Sequence, residues 1–434
     1  MRSPSLLIAS LFVLLAACKK DNCPTVTTEP NILLIIADDL GLDATPGYSE
    51  GTVKPSMPHL QQLAANGLTF DQVWANPICS PTRATILSGK YGYRTGVLNA
   101  ESASTIPADE KTLQTMLDER TGNAYAHAII GKWHLSNGEP NRPTEMGVGY
   151  YAGLLTGAVS DYSDWSFTEN GQTSQYTGYI TTKITDLAID WIGTQTKPWF
   201  CWLAYNAPHA PFHLPPANMY SQGTLSSDQA SIDANPLPYY MAMTESIDFE
   251  LGRLMDSMSE EEIANTVIIF IGDNGSPSQV VQTPYSSNRA KGTLYQGGVH
   301  VPLIISGWGV SRKNEHDASL INSTDLFCTI AELAGATLPN YEDSYSFEHL
   351  LSQTGPVTRV YNYAEVLSAS NPNKTGFTIR NERYKLIEFD LSTRRFYDLN
   401  VDPYEGTNLL NMGLTSDEQA ELDALLTKAS EIRQ

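Results

Sequence analysis

An α/β fold is predicted, with a large, mostly parallel sheet flanked by helices on both faces and a smaller α+β subdomain at the C-terminus. Three features of this 434-residue chain carry the prediction. First, five short, unbroken apolar runs have the composition of strands buried on both faces: NILLIIA (31–37), AHAII (126–130), WFCWLAY (199–205), TVIIFI (266–271) and VPLIIS (301–306). Second, stretches with helical spacing separate them, over 57–67, 111–120, 181–195 and 239–258. Such alternation implies right-handed crossovers and a doubly wound sheet. Third, the texture changes near residue 345: FTIRNERYKLIEFD (377–390) and RRFYDLN (394–400) have antiparallel-strand patterns. A closing helix starts at Ser416, which is expected to be its N-cap.

Charge and the N-terminus bound the partners. A formal net charge of -21 disfavours a nucleic-acid or anionic-membrane surface, both of which need basic patches. It does not exclude a small anion held by a few local cations. At the N-terminus, Arg2 precedes an apolar run from Leu6 to Leu15 that is too short to span a bilayer. Residues 1–17 are therefore expected to be a cleaved signal. LLAAC resembles a bacterial lipobox, which would make Cys18 the lipidated first residue of an exported lipoprotein, periplasmic or at the cell surface. A plain secretory signal with an incidental cysteine is the alternative. Residues 18–29 read as a tether, 30–345 as the main α/β domain and 346–434 as the C-terminal subdomain.

Of the remaining cysteines, Cys201 and Cys328 sit in apolar runs and are expected to be buried hydrophobes. The spacing of the set suggests neither a disulfide framework nor a zinc site. Cys79 differs, because NPICSPTRATILSGK surrounds it with Asn, Pro, Ser, Thr and Arg. It stands just ahead of a predicted helix beginning near Thr82. A disulfide half, a buried thiol, a thiol nucleophile and a residue converted after translation are all open at this point.

Four of the buried runs give way to short polar segments: DDLG after the first, then GKWH, NAPH and GDNG after the next three. Ligands of open α/β sheets bind beyond the carboxyl ends of the strands, so four strands deliver ionisable groups to one edge. Asp38 and Asp39 are adjacent carboxylates that would repel unless a cation lies between them. With Asp273 and Asn274 they make an all-oxygen donor set, which suits Ca²⁺, or Mg²⁺, better than zinc. Gly41 and Gly275 are expected at tight turns. Lys132 and His134, two apart as on one face of an extended segment, join His209 and Lys291 as cationic and acid/base candidates. A divalent metal, several cations and two histidines together describe a site for an oxyanion ester.

That set resembles the formylglycine-dependent (type I) sulfatases, arylsulfatase-like enzymes of the alkaline-phosphatase superfamily. Cys79, Pro81, Arg83, Gly89 and Lys90 match the family's Cys-x-Pro-x-Arg pattern and the helix end after it. The likeness continues in order through NILLIIADDLG, GKWHL, NAPHAP, IGDNG, KGTLYQGGVHVPLI and RYKLI…FYDLNVDPYEGTNLL. The resemblance implies an alkaline-phosphatase-like fold and oxidation of Cys79 to formylglycine by a formylglycine-generating or anaerobic sulfatase-maturating enzyme. It implies that Asp38, Asp39, Asp273, Asn274 and residue 79 hold Ca²⁺. Arg83 would orient the nucleophile, and Lys132 and Lys291 would neutralise sulfate. His209 would protonate the leaving alcohol, and His134 would be the base for sulfate release. Many relatives carry Glu-Gly-Gly where this chain has Gln296-Gly297-Gly298. The substrate class implied is a sulfated carbohydrate, a polysaccharide or its oligosaccharides. Alternatives are a phosphate or phosphonate ester hydrolase of the same superfamily, and a non-catalytic lipoprotein that binds sulfated glycan. The pocket rim is expected from 149–171, 276–290 and 368–380, with the aromatics of the first either stacking on sugar rings or packing within the loop.

Overall fold

The run 31–37 becomes the centre of the sheet because it is unbroken apolar after Asn31, and all seven residues of β1 (Asn31–Ala37) are buried. Each fully buried Leu or Ile contributes about 1.5–3 kcal/mol relative to exposure, which is why the most apolar strand lies innermost. The protein is described from a computed structural model, covering residues 29–101, 104–368, 374–390 and 393–434. The expected leader, Cys18, Cys23, nearly all of the tether and part of the 368–380 rim lie outside these residues.

The main sheet has ten strands. After β1 they are β2 (Gly67–Phe70), β3 (Ala126–Lys132), β4 (Tyr150–Leu154), β5 (Asp164–Glu169), β6 (Gln172–Thr177), β7 (Trp199–Ala204), β8 (Thr266–Gly272), β9 (Leu303–Gly307) and β10 (Glu315–Asp317). Their spatial order is β10-β2-β9-β8-β1-β7-β3-β4-β5-β6. Strands β8, β1, β7, β3 and β4 are mutually parallel, with Leu34 level with both Ile269 and Trp202. Two apolar layers sandwich the sheet, one including Ile32, Leu34 and Ile36, the other Leu33 and Ile35. This alternation is what a strand buried on both faces requires.

Three expectations need correction. The run 301–306 supplies β9, which pairs antiparallel to β8 and β2; an apolar run reports burial and carries no strand direction. The 149–171 segment is part of the sheet: it holds β4 and begins the β5–β6 hairpin, and Tyr151, Tyr162, Trp165 and Phe167 are buried in packing. Tyr151, Trp165 and Phe167 are therefore packing residues, while residues 160–163, between β4 and β5, line a cavity. The closing helix spans Ser416–Ile432, but its N-cap is Thr415, whose hydroxyl accepts from the Glu418 N–H while Glu418 returns the bond.

The C-terminal subdomain is a four-stranded antiparallel sheet of β11 (Asn362–Val366), β12 (Gly376–Arg380), β13 (Tyr384–Phe389) and β14 (Thr393–Asp398), backed by that helix. Strand β11 is absent from the sequence-based expectation. Glu365 within it and Leu367 just beyond it bond to the 91–98 segment of the main domain, so its strand character is decided by docking.

Two histidines, the buried His300 and the half-buried His213, should make the fold acid-sensitive. Burial lowers His300 to about 3, with the Asp71 carbonyl opposing, and lowers His213 to about 4 against the Pro211 carbonyl. Both are neutral when folded and take up a proton at the ordinary value of about 6.5 when unfolded. Their contribution is complete above that pH and is lost as pH falls towards the folded values. Denaturant titrations from pH 6.5 to 5 should show unfolding free energy dropping by up to about 1.4 kcal/mol per pH unit for each histidine. His300→Gln and His213→Gln should each flatten that slope.

Candidate active site

Residue 79 is the first residue of a helix, Cys79–Ser88, that is buried at every position. The helix starts three residues earlier than expected from Thr82. Pro81 is tolerated because first-turn amides have no intrahelical partner. The Thr82 hydroxyl instead accepts from the Asn76 N–H and fixes the approach to Cys79. The Ser80 hydroxyl donates to the His134 carbonyl at 2.9 Å, tying the helix start to the loop after β3.

The ends of β1, β3, β7 and β8 meet this helix, and bring every one of the sequence-selected residues into one cluster. Cys79, Asp38 and Asp273 offer atoms within 4.8 Å of one another, as do Asp38, Asp39 and His209. Asp273 links the parts: one oxygen accepts from the Asp39 N–H at 3.0 Å and the other from Arg83 at 2.7 Å. Arg83 also donates to the Lys132 carbonyl. Lys132 meets Asp38 at 2.5 Å, and Lys291 lies 2.6 Å from both oxygens of Asp39. Three buried carboxylates are thus interleaved with three cations, in surroundings where an unpaired charge would be costly.

The cluster depends on backbone conformations that composition does not reveal. Asp39 takes a left-handed φ of 71° and His134 one of 58°. His134 therefore lies beyond the strand end, and it does not share an extended face with Lys132 as spacing suggested. Tyr240, on the long helix Leu237–Ser257, holds the unusual Asp39 turn by donating to its carbonyl at 2.8 Å. Gly41 and Gly275 are needed for close approach, since neither has a positive φ. A Cβ at Gly275 would lie 1.8 Å from the Gly297 carbonyl, and one at Gly41 2.7 Å from the Ser276 amide.

Each histidine has its tautomer set by a carbonyl. Nε2 of His134 donates to the Ala100 carbonyl, leaving Nδ1 as an acceptor 3.3 Å from Cys79 Sγ. Burial, with Lys132 and Arg83 nearby, holds His134 well below its ordinary value. Nδ1 of His209 donates to the Ala210 carbonyl at 2.6 Å, so Nε2 faces Asp39 at 3.8 Å. Burial lowers His209 to about 4, Asp39 opposing and Lys132 and Lys291 assisting.

The donor set fits a divalent cation. Asp38 Oδ1 and Asn274 Oδ1 are buried acceptors without a hydrogen-bond partner among the described residues, an arrangement that is costly unless something electropositive faces them. Burial pushes the Asp38 carboxyl well up, and Lys132 offsets this only in part against Asp273 and Asp39. Asp39, despite burial, is held down by Lys291 and His209. An oxygen-binding cation beside Asp38 would satisfy the two orphaned acceptors and offset the burial of the Asp38 carboxylate.

Comparisons with known proteins identify the family. A family model described as Sulfatase matches residues 30–336. The chain belongs to the type I sulfatase family of the alkaline-phosphatase superfamily. A second model, N-sulphoglucosamine sulphohydrolase, C-terminal, matches residues 289–432 of this sulfatase-family chain. The chain is 25% identical to N-acetylglucosamine-6-O-sulfatase of Bacteroides thetaiotaomicron, over 98% of its own length and 90% of the relative's. It is 30% identical to the pig N-acetylgalactosamine-6-sulfatase, over 72% of its own length and 63% of the relative's. It spans the same 63% of the uncharacterized sulfatase YdeN of Escherichia coli. Among solved structures, Ps i-CgsB superposes with a TM-score of 0.79 at 22% identity, covering 94% of this chain and 93% of that one. BT4656, solved in complex with D-glucosamine-2-N,6-O-disulfate, gives 0.75 at 21% identity, covering 94% and 98%.

Tyr240, Ser276 and Asp43 are not singled out by the sequence. Ser276 meets Tyr240 at 3.1 Å and donates to Asp43 at 2.6 Å, a chain supporting Asp39 from behind. The family pattern carries no signal for them, and in sequence Tyr240 is one more aromatic in an amphipathic helix. Tyr240→Phe should cost about 1–2 kcal/mol in a denaturant melt, because the buried Asp39 carbonyl loses its donor. An unchanged melt would show that the Asp39 turn holds without it.

Proposed function

We propose that this chain hydrolyses sulfate esters of a carbohydrate, with residue 79 as the nucleophile after its conversion from cysteine to formylglycine. One observation carries the reading: Cys79 opens a buried helix at the point where Asp38, Asp273 and the acceptor nitrogen of His134 converge. A helix N-terminus favours anions, and the cations interleaved around it suit a sulfate group. The family membership and the sulfated-sugar names of its relatives support the same class of substrate.

The residues divide the work by position. A formylglycine hydrate would supply two hydroxyls on one carbon: the oxygen of one would bond to sulfur as the alcohol leaves, and loss of the other's proton would re-form the aldehyde and break the carbon–oxygen bond to the departing sulfate. Ca²⁺, held by Asp38, Asp39, Asp273, Asn274 and residue 79, would supply Lewis acidity to the oxygens it faces. Arg83, pinned by Asp273 and the Lys132 carbonyl, balances charge beneath residue 79. Lys132 and Lys291, each already beside a carboxylate, lie where they can neutralise sulfate oxygens. Nδ1 of His134 is placed to accept the proton of the second hydroxyl. Nε2 of His209 is placed to give a proton to the leaving alcohol, its proton affinity rising when an anionic sulfate replaces water beside it.

The candidate space for the sugar adjoins the loop that carries His209. A cavity of about 320 Å³ is walled by Asp161, Tyr162, Phe212, His213 and Gln229. Tyr162 also donates to the His209 carbonyl at 2.5 Å, so the cavity and the acid/base loop share a wall. Export with a lipid anchor at Cys18, and a maturation enzyme acting on Cys79, complete the proposal. Export would put the substrate outside the cytoplasm.

Desulfation of N-acetylglucosamine 6-sulfate, N-acetylgalactosamine 6-sulfate and sulfated oligosaccharides, against a matched phosphate ester, tests the activity. Peptide mass spectrometry of residue 79 tests its conversion. Cys79→Ala should abolish turnover; sulfate release surviving in that variant, or preferred phosphate hydrolysis, would sink the mechanism. Ca²⁺ should raise thermal stability in EDTA-stripped protein, by about 2.7 kcal/mol at a hundredfold excess over Kd. Asp38→Ala should erase that gain.

A further inference from the structure

The segment carrying Lys291 is held at both ends by a single residue of the C-terminal subdomain. Glu405 is 1% exposed and takes a left-handed φ of 64°, a conformation that glutamate seldom adopts. Its carbonyl accepts from Arg289 at 2.5 Å, and its carboxylate accepts from the Gln296 N–H at 2.8 Å. The other carboxylate oxygen lies 2.6 Å from Lys385 on β13. Lys291 falls between the two anchored positions. Its own amide bonds to the Ser276 carbonyl, and the next amide, of Gly292, bonds to the Pro77 carbonyl, two residues ahead of Cys79. The segment is therefore tied on one side to the site and on the other to Glu405.

We propose that Glu405 is a positioning residue that sets the place of the Lys291 ammonium from the far side of the subdomain junction. The inference rests on reading Lys291 as a sulfate contact. The same geometry accounts for Gln296. Its side chain accepts from Trp74 at 2.9 Å, and Lys385 lies 4.7 Å over the Trp74 ring. A glutamate at 296 would set a second buried carboxylate beside Trp74, where Lys385 is already paired with Glu405. The amide keeps the Trp74 bond without that charge. Through Glu405 the C-terminal subdomain thus reaches the Lys291 segment, although among the described residues it contributes none to the cluster around Cys79.

The test is a mutant cycle read with inorganic sulfate binding by calorimetry in Ca²⁺-loaded protein, alongside kcat and KM on whichever sulfated sugar the wild type hydrolyses. Glu405→Ala should weaken sulfate binding about tenfold, and should add little in a Lys291→Ala background, because both changes remove the same contact. Glu405→Gln, which retains an acceptor for the Gln296 N–H, should recover most of the loss. If Glu405→Ala does not fold, Arg289→Ala cuts only the other tie and should show a smaller loss that likewise disappears in Lys291→Ala. Equal fractional losses in both backgrounds, or sulfate affinity unchanged while thermal stability falls, would overturn the proposal. Failure of the functional reading looks different: the wild type would then hydrolyse no sulfate ester at all.

Discussion

Everything at the head of the sheet depends on Asp273. Its two oxygens are committed to different elements, one to the backbone of Asp39 after β1 and one to Arg83 in the helix that starts at Cys79. Both contacts are buried, so neither competes with water, and each is a charge-assisted bond of the stronger kind. Arg83 then reaches on to the Lys132 carbonyl at the end of β3. Three strand ends and the helix that starts at Cys79 are thereby joined through one carboxylate. The order β8-β1-β7-β3 makes this possible, because parallel neighbours end at the same edge.

Charge balance is the second constraint. Three carboxylates without solvent would be untenable alone, and two of the three cations that neutralise them, Lys132 and Lys291, are the groups proposed to face sulfate. The cluster is close to neutral before any ion or substrate arrives. Binding a divalent cation leaves it positive, which favours an anion at residue 79. Structural and catalytic demands therefore fall on the same side chains. The overall charge of -21 has no bearing on this local field, since the cations are gathered at one point.

Much of this is legible in the chain because of periodicity and order. Unbroken apolar runs locate β1, β3, β7 and β8, and the polar tetrapeptides after them mark the edge where the site lies. The candidates at 38, 39, 79, 83, 132, 134, 209, 273, 274 and 291 do gather there. What misleads is also systematic. The 149–171 stretch, Tyr-rich and polar by turns, reads as a rim throughout, but much of it folds into sheet while 160–163 line a cavity, because Trp165 and Phe167 find partners such as Tyr176 and Lys183 outside the stretch. The start of the Cys79 helix is hidden because its cap is a bare Ile78, with no side-chain signal to find.

By itself, then, the sequence determined which residue types stand at the ends of which strands, since burial on both faces leaves a mark in composition and a parallel sheet sends successive ends to one edge. Only the tertiary structure decided how those groups are held. The left-handed turns at Asp39, His134 and Glu405, the tautomers set by the Ala100 and Ala210 carbonyls, and the support from Tyr240 are matters of backbone conformation and packing. Local sequence carries little information about them, because each is fixed by a partner distant in the chain or by a backbone atom that every residue possesses.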